Sequence, residues 1–243
     1  MGVRVLISGA GRGLGRALCE ESLKREWEVI SWVRKPSDAI PGTQVLVSDV
    51  TDYPLVGQQL AQLAPQVDLL IINAGISELL SPKQEHCAEK ALKILEVNTA
   101  AAIYASYKIA HEWIKLGLRD KKIALVSSLA AGRGLPKSAV YGASKTALLS
   151  FAQGFEHDLK PHGISLSVIQ PGFVDTDMTA DLPVKPFLMS ANQAAQIILD
   201  GISANQFQVR FPRKTAWLSR LKDLVPFFVF RRVVGYLSQK KVF

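Results

Sequence analysis

Short apolar runs alternate with segments of helical periodicity along most of the chain. Six runs have the continuous Val, Ile and Leu character of strands buried on both faces of a sheet: residues 3–8, 28–33, 43–47, 67–73, 122–128 and 164–170. Apolar positions recur at helical spacing in residues 13–25, 54–64, 84–117, 138–160 and 190–203. A further apolar run at 207–211 indicates a last strand. The alternation predicts an α/β domain, a doubly wound parallel sheet of about seven strands.

Two short amphipathic helices are predicted at the C-terminal end of the chain. The apolar face of the first contains Trp217, Leu218 and Leu221. The apolar face of the second contains Phe227, Phe230, Val233, Val234 and Leu237. We therefore divide the chain into a domain of residues 1–211 and a basic helical tail of residues 212–243, which belongs to the same domain or forms a lid over it.

The net charge of +8 belongs to this end of the chain. Residues 207–243 contain nine Lys and Arg and one acid, so the rest of the chain holds 20 basic and 20 acidic residues out of totals of 29 and 21. Because a nucleic-acid-binding surface would extend over the fold, this distribution argues against nucleic acid as a partner. Three interpretations of the tail stay open: a packing element over the substrate loop or another subunit, a contact with a membrane surface, or a site that attracts an anionic substrate.

The remaining composition narrows the class of protein. Two cysteines, Cys19 and Cys87, make no disulfide framework, and the four histidines form no ligand cluster, so we expect a reducing compartment and no metal site. The first strand leaves no room for a signal peptide, and no apolar run approaches the ~18 residues of a membrane span. We expect a cytoplasmic protein, with peripheral membrane contact left open by the tail.

A glycine-rich turn follows the first strand and opens the first helix. Gly9, Gly13 and Gly15 stand where a tight turn would let a pyrophosphate approach the backbone and the free amides at the helix start. This context predicts a dinucleotide site. The spacing is Gly-x-x-x-Gly-x-Gly, and it is the first point at which the chain resembles the short-chain dehydrogenase/reductase family.

A second set of residues points to acid–base chemistry. Tyr141 and Lys145 are four residues apart on a predicted helix, so both side chains can face one cleft, and Ser128 stands thirteen residues before the tyrosine at the end of a strand. A phenol titrates near 10, so its phenolate must be favoured by about three pKa units to act as an acid or base near neutrality, and a neighbouring ammonium, aided by an oxidised nicotinamide, favours that change. The combination predicts transfer of a proton and a hydride.

Resemblance to the short-chain dehydrogenase/reductase family is strong over residues 3–176 and loose over 177–211. It implies a Rossmann-like domain in which Ser128 orients the substrate oxygen and Tyr141 is the acid. Lys145 would hold the nicotinamide ribose, and Asn98 would anchor a water that links the lysine to solvent. The cofactor-binding positions that it implies are Gly9, Arg12, Gly13, Leu14, Gly15, Arg34, Asp49, Val50, Asn73, Ala74, Gly75, Tyr141, Lys145, Pro171, Gly172, Val174 and Thr176. Two positions depart from the family pattern, Ser8 in place of threonine and Ile72 in place of asparagine.

The end of the second strand indicates which cofactor is preferred. Val33 occupies the position where NAD-preferring relatives carry aspartate, and Arg34 follows it. Arg12 lies inside the glycine turn, and guanidinium groups suit a 2′-phosphate. These positions favour NADP(H) over NAD(H), although Arg34 is also compatible with a solvated loop charge, and Asp49 with a residue near a helix N-cap.

The sequence therefore predicts an NADP(H)-dependent oxidoreductase that interconverts a small-molecule carbonyl and an alcohol, in the form of a carbonyl reductase. Residues 178–190 would gate the substrate, and the helices beginning near 96 and 138 would form a homodimer or homotetramer. The alternatives are a catalytically silent NAD(P)-binding sensor and a membrane-associated scaffold of the same fold.

Overall fold

A seven-stranded parallel sheet forms the centre of the molecule. The computed structural model describes residues 2–180, 182, 184–213, 215–217 and 224–239. Its strands are β1 (Arg4–Ser8), β2 (Glu28–Val33), β3 (Gln44–Val47), β4 (Leu69–Ile72), β5 (Lys121–Val126), β6 (Ile164–Pro171), β7 (Val174–Asp175), β8 (Met189–Ser190) and β9 (Gln208–Phe211). The order across the main sheet is β3-β2-β1-β4-β5-β6-β9, while β7 and β8 pair separately. The connections reverse direction between β1 and β4, which is where open sheets of this kind bind ligands.

Helices cover both faces of the sheet. They are α1 (Gly13–Lys24), α2 (Tyr53–Leu63), α3 (Cys87–Leu95), α4 (Ala101–Lys115), α5 (Ala139–Leu159), α6 (Ala191–Ser203) and a C-terminal helix, Phe227–Gln239. One core cluster joins the sheet to α2, α4 and α5, and the other joins it to α1 and α6. In β1 the consecutive residues Val5, Leu6 and Ile7 are all fully buried, because the strand has helices on both sides. The predicted doubly wound α/β fold is confirmed.

The long helical pattern predicted over residues 84–117 is divided in the structure. His86 adopts a left-handed conformation with φ 56°, and α3 begins after it. A π-helical turn, Glu96–Ala100, then separates α3 from α4. Periodicity alone did not reveal this turn, because the apolar positions continue through it. The turn contains Asn98, one of the predicted site residues.

The tail is described in part. The second predicted tail helix corresponds to Phe227–Gln239, whereas Leu218 and Leu221 of the first lie outside the described residues. The division into residues 1–211 and 212–243 stays a prediction. Across the described ranges, none of the helices combines the length and hydrophobicity needed to cross a bilayer.

Candidate active site

A cleft of ≈ 540 Å³ opens at the carboxyl edge of the sheet, beside the reversal between β1 and β4. All the predicted cofactor-binding residues line it, from the glycine turn after β1 to the segment after β6. Ser128, Tyr141 and Lys145 line the same cleft. The structure thus brings the predicted dinucleotide and catalytic residues into one cavity, with Asn98 behind its wall.

The glycine turn is shaped so that larger side chains cannot replace its glycines. Gly9 has φ 65°, and a Cβ there would lie 2.8 Å from Cα of Ala74. A Cβ at Gly15 would lie 2.0 Å from the carbonyl oxygen of Gly9. The first turn of α1 lines the cleft and has no acidic side chain, and its N-cap, Arg12, makes no side-chain capping bond. The amides at this helix start can therefore receive an anion, and the turn fits a dinucleotide pyrophosphate.

Ser8 and Asn73 hold the turn against β4. The Ser8 hydroxyl accepts hydrogen bonds from the backbone N–H groups of Asn73 and Ala74, both at 3.1 Å. In return, Nδ2 of Asn73 donates to the carbonyl oxygens of Ser8 at 3.1 Å and Gly9 at 3.2 Å. Serine at this position thus supplies the hydroxyl that the fold needs, and the departure from threonine leaves the turn intact.

Asp49 shapes the loop at the far end of the cleft. Its carboxylate accepts from the backbone N–H of Thr51 at 2.9 Å and from the Thr51 hydroxyl at 2.7 Å. Burial raises the pKa of Asp49, but the Thr51 bonds and the charges of Lys93 and Arg34 outweigh it and lower that pKa. The N-cap of α2 is instead Asp52, which accepts from the backbone N–H of Leu55. Asp49 is therefore a charged residue of the cleft wall.

Three charged residues of the cleft were not predicted from the sequence. Asp38 packs beside the glycine turn, where a Cβ on Gly11 would lie 2.8 Å from Cβ of Asp38. Lys93 extends from α3, and Asp177 lies 3.7 Å from the guanidinium of Arg12. No motif marks them, because their approach to the cleft depends on how the loops after β2 and β7 fold and on how α3 packs.

Ser128 and Tyr141 are joined by a hydrogen bond between their side chains. Ser128 follows β5, and its hydroxyl also accepts from the backbone N–H of Ala130 at 3.0 Å. Tyr141 lies in the first turn of α5, and Ser127 fixes that helix to β5 by donating to the carbonyl oxygen of Lys145 at 2.8 Å. The strand end and the helix together set the position of the hydroxyl pair.

Lys145 lies one helical turn beyond Tyr141. Its Nζ is 5.8 Å from the centroid of the Tyr141 ring and donates to the carbonyl oxygen of Val126 at 2.8 Å. The side chain is buried, and burial lowers its pKa to about 8. The ammonium is thus held close to the phenol in surroundings that weaken its hold on the proton.

The pKa of Tyr141 is shifted in the opposite direction to the one expected from the sequence. Burial raises it, and the hydrogen bond with Ser128 only partly opposes this change. We expected the ammonium of Lys145 to lower the pKa, but desolvation of the phenolate dominates in this structure. A raised pKa keeps the phenol protonated at neutral pH, which is the state from which a reduction starts, and also makes it a weaker acid.

Asn98 connects the cleft wall to α5 from behind. Its Nδ2 donates to the carbonyl oxygen of Ile76 at 2.9 Å and to the Ser144 hydroxyl at 3.1 Å, and its Oδ1 accepts from the backbone N–H of Ile76 at 2.8 Å. A Cβ on Gly75 would lie 3.3 Å from this Oδ1 and 3.4 Å from Nζ of Lys145. The asparagine is therefore adjacent to the lysine across Gly75, while its role with a bound water stays a prediction.

The segment after β6 forms the last wall of the cleft. Pro171, Gly172, Val174 and Thr176 line it. β7 and β8 pair in parallel and so join the two ends of the loop that carries Met178. The Thr179 hydroxyl donates to the carbonyl oxygen of Val174 at 2.6 Å. This loop is tied down at its base.

The match to known proteins agrees with this geometry. A sequence model described as short chain dehydrogenase matches residues 4–185. The chain belongs to the short-chain dehydrogenase/reductase family. The predicted family and the predicted enzyme class, an oxidoreductase of alcohol and carbonyl groups, are thereby confirmed.

Individual relatives of this short-chain dehydrogenase include two vertebrate reductases. The chain is 31% identical to L-xylulose reductase of Bos taurus over 212 residues, which cover 85% of this chain and 83% of that protein. It is 31% identical to D-erythrulose reductase of Gallus gallus over 183 residues, with 73% of each chain covered. Among solved structures, a short chain dehydrogenase from Burkholderia cenocepacia J2315 in complex with NADP has a TM-score of 0.81, 26% identity, and coverage of 90% of this chain and 92% of that one.

Proposed function

We propose that this protein is an NADP(H)-dependent carbonyl reductase that acts on a small carbonyl compound or, in reverse, on the corresponding alcohol. The observation that carries the proposal is the hydrogen bond between Ser128 and Tyr141 inside the cleft that also contains the glycine turn. Relatives named for reducing xylulose and erythrulose support the direction of reduction.

Ser128, Tyr141 and Lys145 have distinct tasks in the proposed reaction. When bound, the reduced nicotinamide supplies the hydride that reaches the carbonyl carbon. The Ser128 hydroxyl donates a hydrogen bond to the substrate oxygen and polarises the C=O bond. Tyr141 transfers its phenolic proton to the same oxygen, which completes the alcohol. The positive charge of Lys145 stabilises the phenolate that remains, until a proton returns from solvent by the path on which Asn98 lies.

Preference for NADP(H) is proposed from the charges at the adenosine end of the cleft. Arg12 and Arg34 both line the cleft, and Val33, at the end of β2, offers no carboxylate to a ribose 2′-hydroxyl. A guanidinium can bind a 2′-phosphate with two parallel hydrogen bonds. The NADP complex of the Burkholderia cenocepacia relative supports the same cofactor.

We further propose that two or four copies assemble through α4 and α5. Tyr107 on α4 is 53% exposed, and its ring packs 4.6 Å from that of Phe155 on α5. Phe151 stacks on Phe155 at 4.8 Å. Phe155 is buried and Phe151 half-buried, so Tyr107 is the ring that faces solvent, and a second copy would cover it. Light scattering of the purified protein should give a dimer or tetramer, and a monomer at micromolar concentration would contradict this assembly.

Replacement of the proposed acid tests the function. A panel of ketones, aldehydes and acyl thioesters, followed by NADPH absorbance, first identifies a substrate. Tyr141→Phe should then lower kcat by about 10²–10⁴, the usual contribution of a positioned acid. Its affinity for NADPH, measured by fluorescence titration, should stay within about twofold, because the aromatic ring is kept and only its hydroxyl is lost.

Tyr53→Phe is the matched control for this experiment. It removes a phenol oxygen at the start of α2, outside the residues that line the cleft, and should leave kcat unchanged. A wild-type protein that binds NADPH but reduces no compound of the panel would favour the silent sensor. A Tyr141→Phe variant with wild-type turnover would reject the assigned acid.

A further inference from the structure

Several large apolar side chains of the C-terminal helix face solvent. Phe227 is 70% exposed, Phe228 is 67% exposed and Val233 is 51% exposed. Among the side chains described in this helix, the half-buried ones are Phe230 and Val234, which are one turn apart. The helix therefore contacts the domain along a narrow edge, and most of its circumference, including adjacent phenyl rings, faces solvent. We call the exposed residues Phe227, Phe228, Arg231 and Arg232 the tail surface.

The narrow edge attaches the helix to the segment between Ser128 and Tyr141. The guanidinium of Arg133 lies over the ring of Phe230, 5.1 Å from its centroid. Arg133 belongs to the segment that connects Ser128 to Tyr141. Whatever binds the tail surface therefore lies near the segment that holds the proposed catalytic hydroxyl groups.

Charge distinguishes between the occupants that such a surface can have. Arg231 and Arg232 are exposed beside the phenyl rings, and residues 224–243 contain four basic residues and no acidic one. A second copy packed on this surface across a two-fold axis would bring four arginines into one interface, and residues 224–243 supply no acidic side chain to offset their repulsion. A surface that is anionic and also accepts phenyl rings complements the tail surface in both respects.

We propose that the tail surface binds an anionic lipid bilayer, with Phe227 and Phe228 inserted among the acyl chains and Arg231 and Arg232 paired with lipid phosphates. The helix has 13 residues and is about 20 Å long at 1.5 Å per residue. A membrane-spanning helix needs ~20 residues. It therefore lies along the bilayer surface and does not cross it. This orientation brings the segment between Ser128 and Tyr141 next to the lipid.

Flotation of the full-length protein with vesicles tests the proposal. We expect binding to vesicles of phosphatidylglycerol and phosphatidylcholine at low salt, and little binding to phosphatidylcholine alone. Arg231→Gln with Arg232→Gln should weaken the partition coefficient by about 30-fold, from about fivefold for each basic residue near an anionic surface. Phe227→Ser with Phe228→Ser should weaken it by about tenfold or more, because two phenyl rings lose their apolar contact.

Matched substitutions elsewhere on the surface are the controls. Lys115→Gln with Lys160→Gln removes two exposed charges from other faces, and Leu92→Ser removes a side chain that is 68% exposed on α3. Both controls should float like the wild type. The proposal is overturned if the wild-type protein stays with the soluble fraction, if it binds both vesicle types equally, or if the controls weaken binding as much as the tail variants. It is also overturned if Phe227→Ser with Phe228→Ser changes the oligomer size by light scattering and leaves flotation intact.

Discussion

Replacement of Lys145 by methionine should make the protein more stable and inactive at the same time. Lys145 is 4% exposed, and among the described residues its Nζ donates one hydrogen bond, to the carbonyl oxygen of Val126 at 2.8 Å. If Lys145 only stabilised the fold, its removal would lower the free energy of unfolding. A lysine kept for chemistry in a desolvated position should instead be a cost to the fold.

The size of this cost follows from the shift of the Lys145 pKa. Burial lowers it from 10.5 to about 8. At neutral pH, this shift corresponds to about 3 kcal/mol of free energy lost by the folded state. The variant also loses the hydrogen bond to Val126, which destabilises it by about 1 kcal/mol and offsets part of this gain. Lys145→Met should therefore raise the free energy of unfolding by about 2 kcal/mol and Tm by about 4–8 °C.

The dependence on pH provides the stricter test. Between pH 8 and 10.5 the unfolded chain keeps the Lys145 proton that the folded chain has released. The stability of the wild type therefore rises with pH in this window relative to the variant. Urea unfolding should give a difference in free energy of unfolding between Lys145→Met and the wild type at pH 7. That difference should fall to near zero at pH 9.5. Lys160→Met, at an exposed position, should change stability by less than about 0.5 kcal/mol at both values. A Lys145→Met variant that is less stable than the wild type at pH 7 would refute the reasoning.

Two further substitutions test the cofactor end of the cleft. Gly15→Ala should abolish NADPH binding in a fluorescence titration, because its Cβ would lie 2.0 Å from the carbonyl oxygen of Gly9. Its control is Gly154→Ala in the exposed part of α5, where nothing lies within 4 Å and the fold should gain about 0.5–1 kcal/mol. Arg34→Asp should shift the ratio of kcat/KM values toward NADH by about ten- to hundredfold, as a charged hydrogen bond is lost and a 2′-phosphate is repelled. An unchanged ratio would remove Arg34 from its proposed role, and normal binding by Gly15→Ala would show that the turn adapts.

Features that depend on neighbouring positions in the chain were readily predicted. Strand β2 was predicted with the observed bounds, Glu28–Val33. Both of its faces are covered, so five of its six residues are buried and the strand forms a nearly continuous apolar run. Tyr141 and Lys145 were predicted to share a face, because both lie on the continuous helix α5. Here the spacing in the chain determines the spacing in the structure.

Features that depend on packing between distant segments were not predicted. The π-helical turn at Glu96–Ala100 leaves the apolar periodicity almost unchanged, so the sequence indicated one long helix. Asp38 reaches the cleft only because the turn after β2 folds against Gly11. The direction of the Tyr141 pKa shift depends on how deeply α5 buries the phenol, and sequence spacing contains no measure of burial.

The parallel pair of β7 and β8 has a consequence for how this protein could be altered. Because Val174 pairs with Met189 and Asp175 with Ser190, the two ends of the intervening stretch are held together whatever lies between them. Closing such a stretch costs only about 0.6 kcal/mol more for each doubling of its length. Insertions, deletions and transplants from other reductases should therefore be accommodated there with little effect on folding. New specificities could be introduced at this position while the sheet and its hydroxyl pair stay as they are.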